Sequence, residues 1–234
     1  MKIKSTPLGR LLLVSAGSLA FAGLPLAYGV PTLRITDGIN TVTIADTTNL
    51  SGGDLNPLAG AVTYSGGLGS FFLTVSTGTS KPVQGSSTLP YLTLDSVEIS
   101  GTAGTLAILF SDDSFGPTYD GATASIYGYT GGSVTYSAYA DDSNVLFGTG
   151  TLLTTPGPFG PGNISGAAFG ALALPANYSL TQKVVVTHGG WGVTNLIAKL
   201  QAVPDGGSTV ALLGAVLVGL DGLRRKCRGA LGTT

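Results

Sequence analysis

The middle of this 234-residue chain has no amphipathic helical period and consists of short β-prone stretches. Stretches rich in Val, Thr, Ile, Tyr and Phe alternate with Gly, Asp, Asn, Ser and Pro, as strands alternate with turns. We predict strands at 32–36, 41–45, 61–64, 70–76, 91–99, 105–110, 122–129, 133–140, 145–153, 179–187 and 192–203. This number of strands in one domain, residues 30–202, indicates an all-β fold, an antiparallel β-sandwich or jelly roll of about 9–11 strands.

Two details of the pattern predict local irregularities. In 91–99 the apolar positions change parity between Leu94 and Val97, which predicts a β-bulge at Asp95 and Ser96. The segment 155–163 is rich in Pro and Gly, so we predict a long surface loop there.

The glycine pair at Gly131 and Gly132 predicts a two-residue β-hairpin. Counting outward from the turn places Tyr127, Tyr129, Val134 and Tyr136 on one face. If this row is exposed to solvent, Tyr127, Tyr129 and Tyr136 are candidate carbohydrate contacts. Trp191 is a further candidate contact. The opposite face is mostly small and polar, which favours a second interpretation, that the row faces the core. Both interpretations stay open at this point.

Charge and two residue counts exclude several classes of function. Residues 30–204 contain four basic and ten acidic side chains, a net charge of −6, and the other basic residues lie near the two ends. No nucleic-acid partner is therefore expected. The chain has one cysteine, Cys227, and one histidine, His188. These counts exclude an intramolecular disulfide, a cysteine metal cluster and a two-histidine zinc site.

Two acidic pairs supply candidate metal ligands, Asp112 with Asp113 and Asp141 with Asp142. Calcium prefers carboxylate oxygens, so calcium is the one cofactor that these residues suggest. The alternating EF-hand spacing is absent, however, and Asp-Asp-Ser between two strands is also ordinary turn chemistry.

Catalytic groupings are not apparent. A serine hydrolase elbow of the G-x-S-x-G type is missing, and Glu98 is the single glutamate. The aspartates lie mainly in predicted turns, which does not favour the opposed carboxylate pair of a glycosidase. We therefore predict that the protein is not an enzyme.

Residues 1–29 have the layout of a secretory signal peptide. Three basic residues precede an apolar stretch at 11–22, and small residues at cleavage spacing follow it. The apolar stretch is short compared with the roughly 20 residues of a membrane span, which disfavours a permanent anchor. We expect an exported protein.

The C-terminus carries the reverse layout. Val203, Pro204, Asp205, Gly206 and Gly207 form a turn-rich segment, an apolar stretch follows at 210–220, and Arg224, Arg225 and Lys226 come next. Because basic flanks stay on the cytoplasmic side, this segment would insert with its N-terminal side outside.

This order of elements resembles the VPDSG-CTERM sorting signal, a relative of the PEP-CTERM signal of Gram-negative bacteria. The resemblance implies that 203–228 is the signal, with a short transmembrane helix and a basic stop. It also implies handling by the secretion machinery and by an exosortase, a membrane-embedded cysteine transpeptidase that cleaves near the motif. Gly206 stands where the family usually has Ser, and Asp221 interrupts the apolar segment.

The resemblance further implies delivery, through an inner-membrane intermediate, to the cell envelope, the surface or the extracellular matrix. Together with the lack of catalytic groupings, it leads us to expect a noncatalytic protein of the envelope or the exopolysaccharide matrix, with a structural or adhesive role. The alternative is a polysaccharide-binding module in which calcium assists.

Overall fold

A computed structural model describes residues 29–117, 121–172, 174 and 177–203. These residues form twelve strands and no helix. The strands are β1 Thr32–Thr36, β2 Thr41–Ala45, β3 Ala61–Leu68, β4 Phe71–Thr79, β5 Tyr91–Gly101, β6 Gly104–Phe115, β7 Gly121–Thr130, β8 Ser133–Asp141, β9 Thr151–Thr154, β10 Gly162–Ala171, β11 Tyr178–His188 and β12 Gly192–Val203. Residues 1–28 of the predicted signal peptide 1–29 and the predicted C-terminal helix lie outside the described residues.

The strands form two antiparallel sheets of six strands each. Sheet A has the order β2-β1-β6-β11-β8-β9, and sheet B has the order β10-β7-β12-β5-β4-β3. The predicted all-β sandwich is confirmed, with twelve strands in place of 9–11.

Alternating side chains build the core between the two sheets. Buried and exposed positions alternate along β12, where Leu196, Ala198 and Leu200 point inward. In β11, Val184 and Val186 point inward from the facing sheet. Burial of one such Val or Leu side chain contributes about 1.5–3 kcal/mol, so this alternation is what holds the two sheets together.

The predicted bulge is confirmed, because the β5–β12 register shifts between Leu196 and Ala198 and Ser96 has a φ of 51°. Two strand assignments were wrong. Residues 142–150 form a loop and β9 is Thr151–Thr154, so only 151–153 of the predicted strand 145–153 belong to a strand. The sequence also missed β10, most of whose residues are Gly, Ala or Ser, because such residues give little hydrophobic alternation.

The predicted hairpin at Gly131 and Gly132 is wrong. β7 belongs to sheet B and β8 to sheet A, so the glycines link the two sheets instead of two paired strands. The Gly131 amide donates to the Val193 carbonyl at 2.8 Å. A Cβ on Gly132 would lie 2.1 Å from the Thr187 carbonyl oxygen. This close approach, and not the positive φ of a hairpin turn, requires glycine.

The registers divide the loops between two ends of the sandwich. Val203 pairs with Gly121 and Gln201 with Tyr91, so the loops 46–60, 80–90 and 142–150 lie at the end where β12 stops. We call this the Val203 end. His188 pairs with Gly104 at the opposite end, which we call the Trp191 end. The turns 37–40, 69–70, 102–103 and 189–191 lie there.

Candidate functional site

The outer surface of sheet B carries exposed tyrosines. Along β7 the side chains alternate, so that Ala124 and Ile126 are buried while Tyr127 and Tyr129 are 43% and 49% exposed. Gly128 lies between the two tyrosines, and a Cβ there would be 2.1 Å from the Asn195 carbonyl oxygen. Glycine at this position therefore lets β7 approach β12 closely beneath the tyrosines.

A lysine lies between two of the tyrosines on this surface. Lys199 of β12 pairs with Ser125 of β7 and with Thr93 of β5, and its Nζ is 5.6 Å from the centre of the Tyr127 ring. Electrostatic interaction with Tyr91, and then with Tyr127, raises the pKa of Lys199 above its usual value of 10.5. Lys199 is therefore positively charged at neutral pH. We call the group of Tyr91, Tyr127, Tyr129 and Lys199 the tyrosine face.

A shallow depression of about 250 Å³ lies on the same sheet. Glu98 and Asn195 line it together with Thr74, Ser100 and Val193. Asn195 donates a hydrogen bond from Nδ2 to Glu98 Oε1 at 3.3 Å. Since Asn195 pairs with Tyr129, the depression adjoins the tyrosine face and adds hydrogen-bonding groups to it.

Trp191 is highly exposed, at 74%, but lies apart from the tyrosine face. It occupies the turn between β11 and β12, whereas Tyr127 pairs with Ile197, six residues further along. Six residues of strand correspond to about 20 Å. The structure therefore brings Tyr127 and Tyr129 together and leaves Trp191 at the Trp191 end.

Tyr136 is fully buried, so its grouping with Tyr127 and Tyr129 on one face is wrong. Its hydroxyl lies 2.6 Å from Gln182 Oε1 and 3.0 Å from the Lys199 carbonyl oxygen. Burial raises the pKa of Tyr136 well above 10.0. Tyr136 thus joins sheet A to sheet B from inside and presents no surface to a carbohydrate.

Asp112 takes part in a buried ion pair that the sequence did not reveal. Its Oδ2 lies 2.8 Å from Lys81 Nζ and accepts a hydrogen bond from Ser80 Oγ at 2.6 Å. Lys81 is 1% exposed, and its Nζ is 3.8 Å from the centre of the Phe115 ring. Burial raises the pKa of Asp112, and the Lys81 charge opposes this effect. The sequence contains one indication that Lys81 has a specific role, because Lys81 is one of only four basic residues in 30–204.

Of the other three predicted calcium ligands, Asp113 lies within β6, Asp141 ends β8 and Asp142 lies in the turn that follows. Asp113 accepts a hydrogen bond from Ser114 Oγ at 3.1 Å, and Asp142 is exposed. Asp141 accepts from the Ser143 and Gly150 amides at 2.9 and 3.2 Å.

β11 separates the two acidic pairs. Leu180 pairs with Asp112 on one side and with Ala140 on the other, so one strand lies between the pairs, which are about 10 Å apart. Within the described part of the chain, no three His, Cys, Asp or Glu residues are grouped to hold a metal ion. The calcium site stays a prediction, and a calcium ion at Asp112 would compete with Lys81.

The predicted sorting signal begins directly at the end of β12. The family model for the VPDSG-CTERM motif matches residues 202–227, so the chain carries this motif, as predicted. The first two matched residues, Ala202 and Val203, still pair with β7. The motif marks an exported protein that is directed to the cell envelope. The match leaves the β-sandwich without an assigned family.

Comparison with solved structures adds a distant likeness. The enzymatically active domain of tailspike protein 4 from bacteriophage CBA120 is 15% identical and has a TM-score of 0.27. The alignment covers 59% of this chain and 19% of the tailspike chain, so we draw no conclusion from it. No curated protein matches the sequence. Among the described residues, no helix is long and apolar enough to cross a membrane.

Proposed function

We propose that this chain is a noncatalytic, structural or adhesive protein that an exosortase sorts to the bacterial envelope or exopolysaccharide matrix. The observation that carries the proposal is the VPDSG-CTERM motif at 202–227. It is joined to a sandwich in which buried Lys81 pairs with Asp112, and the buried Tyr136 hydroxyl contacts Gln182 and a backbone carbonyl. Because these side chains are buried and paired within the fold, they are not available to a substrate. This favours a structural role over a catalytic one.

The motif suggests a route. The apolar residues 210–220 insert transiently into the inner membrane. The basic residues that follow remain on the cytoplasmic side and stop further transfer; they are Arg224, Arg225 and Lys226. The exosortase then cleaves near Pro204 and Asp205 and releases the sandwich outward.

Intact-mass analysis and fractionation of the protein from its own host test this route. The Pro204→Ala Asp205→Ala variant alters the motif without touching β12, and we expect it to accumulate uncleaved in the inner membrane. Ser208→Ala is the matched control, because Ser208 lies between the turn-rich segment 203–207 and the apolar stretch 210–220, and it should be processed like the parent. Identical mass and location for the motif variant and the control would refute the sorting proposal.

A second candidate function, binding of polysaccharide, is favoured by one observation. Exposed Tyr127 and Tyr129 share the outer side of sheet B with half-buried Tyr91 and Lys199, and the depression beside them adds the Glu98 carboxylate and the Asn195 amide. Aromatic rings with hydrogen-bonding neighbours suit the apolar faces and hydroxyl groups of sugars.

Affinity electrophoresis in gels that contain the host exopolysaccharide tests the second function. Tyr127→Ala Tyr129→Ala should abolish the retardation. Phe169→Ala is the matched control, since Phe169 is an exposed ring on β10 that pairs with Thr123, four residues from Tyr127. Trp191→Ala shows whether the Trp191 end contributes. Equal retardation of the parent and the tyrosine variant would rule out the tyrosine face as the binding surface.

A further inference from the structure

We propose that the Val203 end of the sandwich is a docking surface for a lipid bilayer. The inference rests on the proposed membrane route, and it adds a role for the folded body. Before cleavage, the loops of this end would lie on the membrane surface in which residues 210–220 are inserted.

The first observation is the distribution of exposed aliphatic side chains. Loops 46–60, 80–90 and 142–150 of the Val203 end carry six of them, each between 38% and 57% exposed. They are Leu50, Leu55, Leu58, Val83, Leu89 and Val145. At the Trp191 end the large exposed apolar side chains in described turns are Ile39 and Trp191. Clustered exposed apolar residues mark an interaction surface.

The second observation is the scarcity of exposed charge around these side chains. Loops 46–60, 80–90 and 142–150 contain four charged residues. Lys81 and Asp54 are buried and Asp46 is half-buried, which leaves Asp142 as the exposed charge of these loops. These three loops would bring one exposed charge to the lipid, that of Asp142, and the β6–β7 connection 116–120 adds Asp120. Burial of apolar surface would drive the association. The surface therefore fits a bilayer without a requirement for anionic headgroups.

The third observation is the length of chain between the sandwich and the apolar stretch. Val203 ends β12, and residues 204–209 separate it from the stretch that begins at Val210. Seven residue steps span at most about 25 Å, even when fully extended. Insertion of 210–220 would thus hold the Val203 end close to the bilayer. The Trp191 end would lie a further 35 Å or so away, the length of β12.

Depth-dependent fluorescence quenching in phosphatidylcholine vesicles tests the proposal with the full chain. In a Cys227→Ser background, Leu55→Cys and Ile39→Cys carry the same dye at the Val203 and Trp191 ends. Ile39 is the matched control, since it is a 92%-exposed aliphatic residue in a turn. We expect a quencher on the lipid chains to remove most of the fluorescence at position 55 and little at position 39. Trp191, the single tryptophan of the chain, should also remain unquenched.

Vesicle flotation separates failure of this inference from failure of the membrane route. If the chain floats but position 55 is quenched no more than position 39, insertion stands and docking of the Val203 end is wrong. If the chain does not float, the membrane route itself is wrong, and docking falls with it. Quenching at position 55 that requires an added membrane transpeptidase would identify a protein partner and overturn the lipid assignment.

A further variant shows whether the aliphatic residues cause the docking. Leu50→Asp Leu58→Asp adds two negative charges to the surface. The packing of the core is left unchanged, because both leucines are exposed. We expect this variant to float but to lose the quenching of the dye at position 55. Unchanged quenching would show that the tether alone brings the loop to the membrane, and would overturn the proposal.

Discussion

Lysine and tyrosine each occur in two contrasting regions of this molecule. Inside the sandwich, Lys81 pairs with Asp112, and the Tyr136 hydroxyl lies between Gln182 and a backbone carbonyl. On the tyrosine face, Lys199 Nζ lies 5.6 Å from the centre of the Tyr127 ring; Tyr127 is exposed and Lys199 is half-buried. Lys81, Asp112 and the Tyr136 hydroxyl have partners within the protein, so we expect their substitution to change the stability of the fold. The outer groups keep surface for a ligand. The comparison predicts opposite consequences for similar substitutions.

The largest effect is expected from Lys81→Met. Removal of the cation leaves the Asp112 carboxylate buried without a counter-charge, which typically costs about 3–5 kcal/mol. Urea denaturation of the purified protein would measure the loss in the free energy of unfolding.

The double variant Lys81→Met Asp112→Asn is the control, because it leaves neither charge buried and unpaired. It should recover much of the stability, since replacement of a whole buried pair is often close to neutral. A single variant as stable as the parent would show that the buried pair is not needed for folding.

A smaller loss is expected from Tyr136→Phe. The substitution leaves Gln182 Oε1 and the Lys199 carbonyl without the tyrosine hydroxyl, and an unsatisfied buried acceptor costs about 1–3 kcal/mol. The same substitution at exposed Tyr129 should leave the urea midpoint unchanged. Equal effects of Tyr136→Phe and Tyr129→Phe would contradict the contrast between the two regions.

A pH-dependent effect is expected from His188, another buried polar residue, whose Nε2 is 2.9 Å from Thr194 Oγ1. Burial lowers the pKa of His188 below its usual 6.5, against an opposing hydrogen bond with the Gly101 backbone. The unfolded chain therefore binds the proton more readily, so stability should fall as the pH drops below about 6.5. Unfolding curves at neutral pH and near pH 5 would measure the change. His188→Gln should flatten this dependence, and an undiminished slope would assign it to other groups.

The smallest effect on stability is expected from Tyr127→Ala and Lys199→Gln. Each removes at most a cross-strand contact on the outer surface, worth about 0.2–1 kcal/mol. Polysaccharide retardation should nevertheless weaken in both variants, while the urea midpoints stay close to the parent value. A large loss of stability together with normal retardation would show that the tyrosine face stabilises the fold and does not bind polysaccharide.

Strand positions were predictable where side chains alternate strongly in size and polarity. β1 and β2 lie where they were predicted, and the parity change near Ser96 located the bulge. β10 was missed, because small residues give almost the same pattern in a strand as in a loop. The sorting motif was predictable from local order alone, since its elements are consecutive in the chain.

The choice of sheet was not predictable from local pattern. Two glycines between alternating stretches predict a hairpin, yet β7 and β8 pair with other strands. Partner choice depends on contacts such as that of Gly132 with Thr187, which is distant in the sequence. For the same reason, the pairing of Lys81 with Asp112 across 31 positions could not be read from either residue.

The sequence by itself determined the class of the fold and the destination of the protein. Period-two alternation and consecutive motifs are local properties of the sequence. They can be recognised without knowing which strands pair with each other. Only the tertiary structure decided which tyrosines are exposed, which lysine is buried and which loops gather at the Val203 end. Those outcomes depend on which strands pair and which sheets face each other, and free energy from burial selects among such arrangements only when the whole sandwich is assembled.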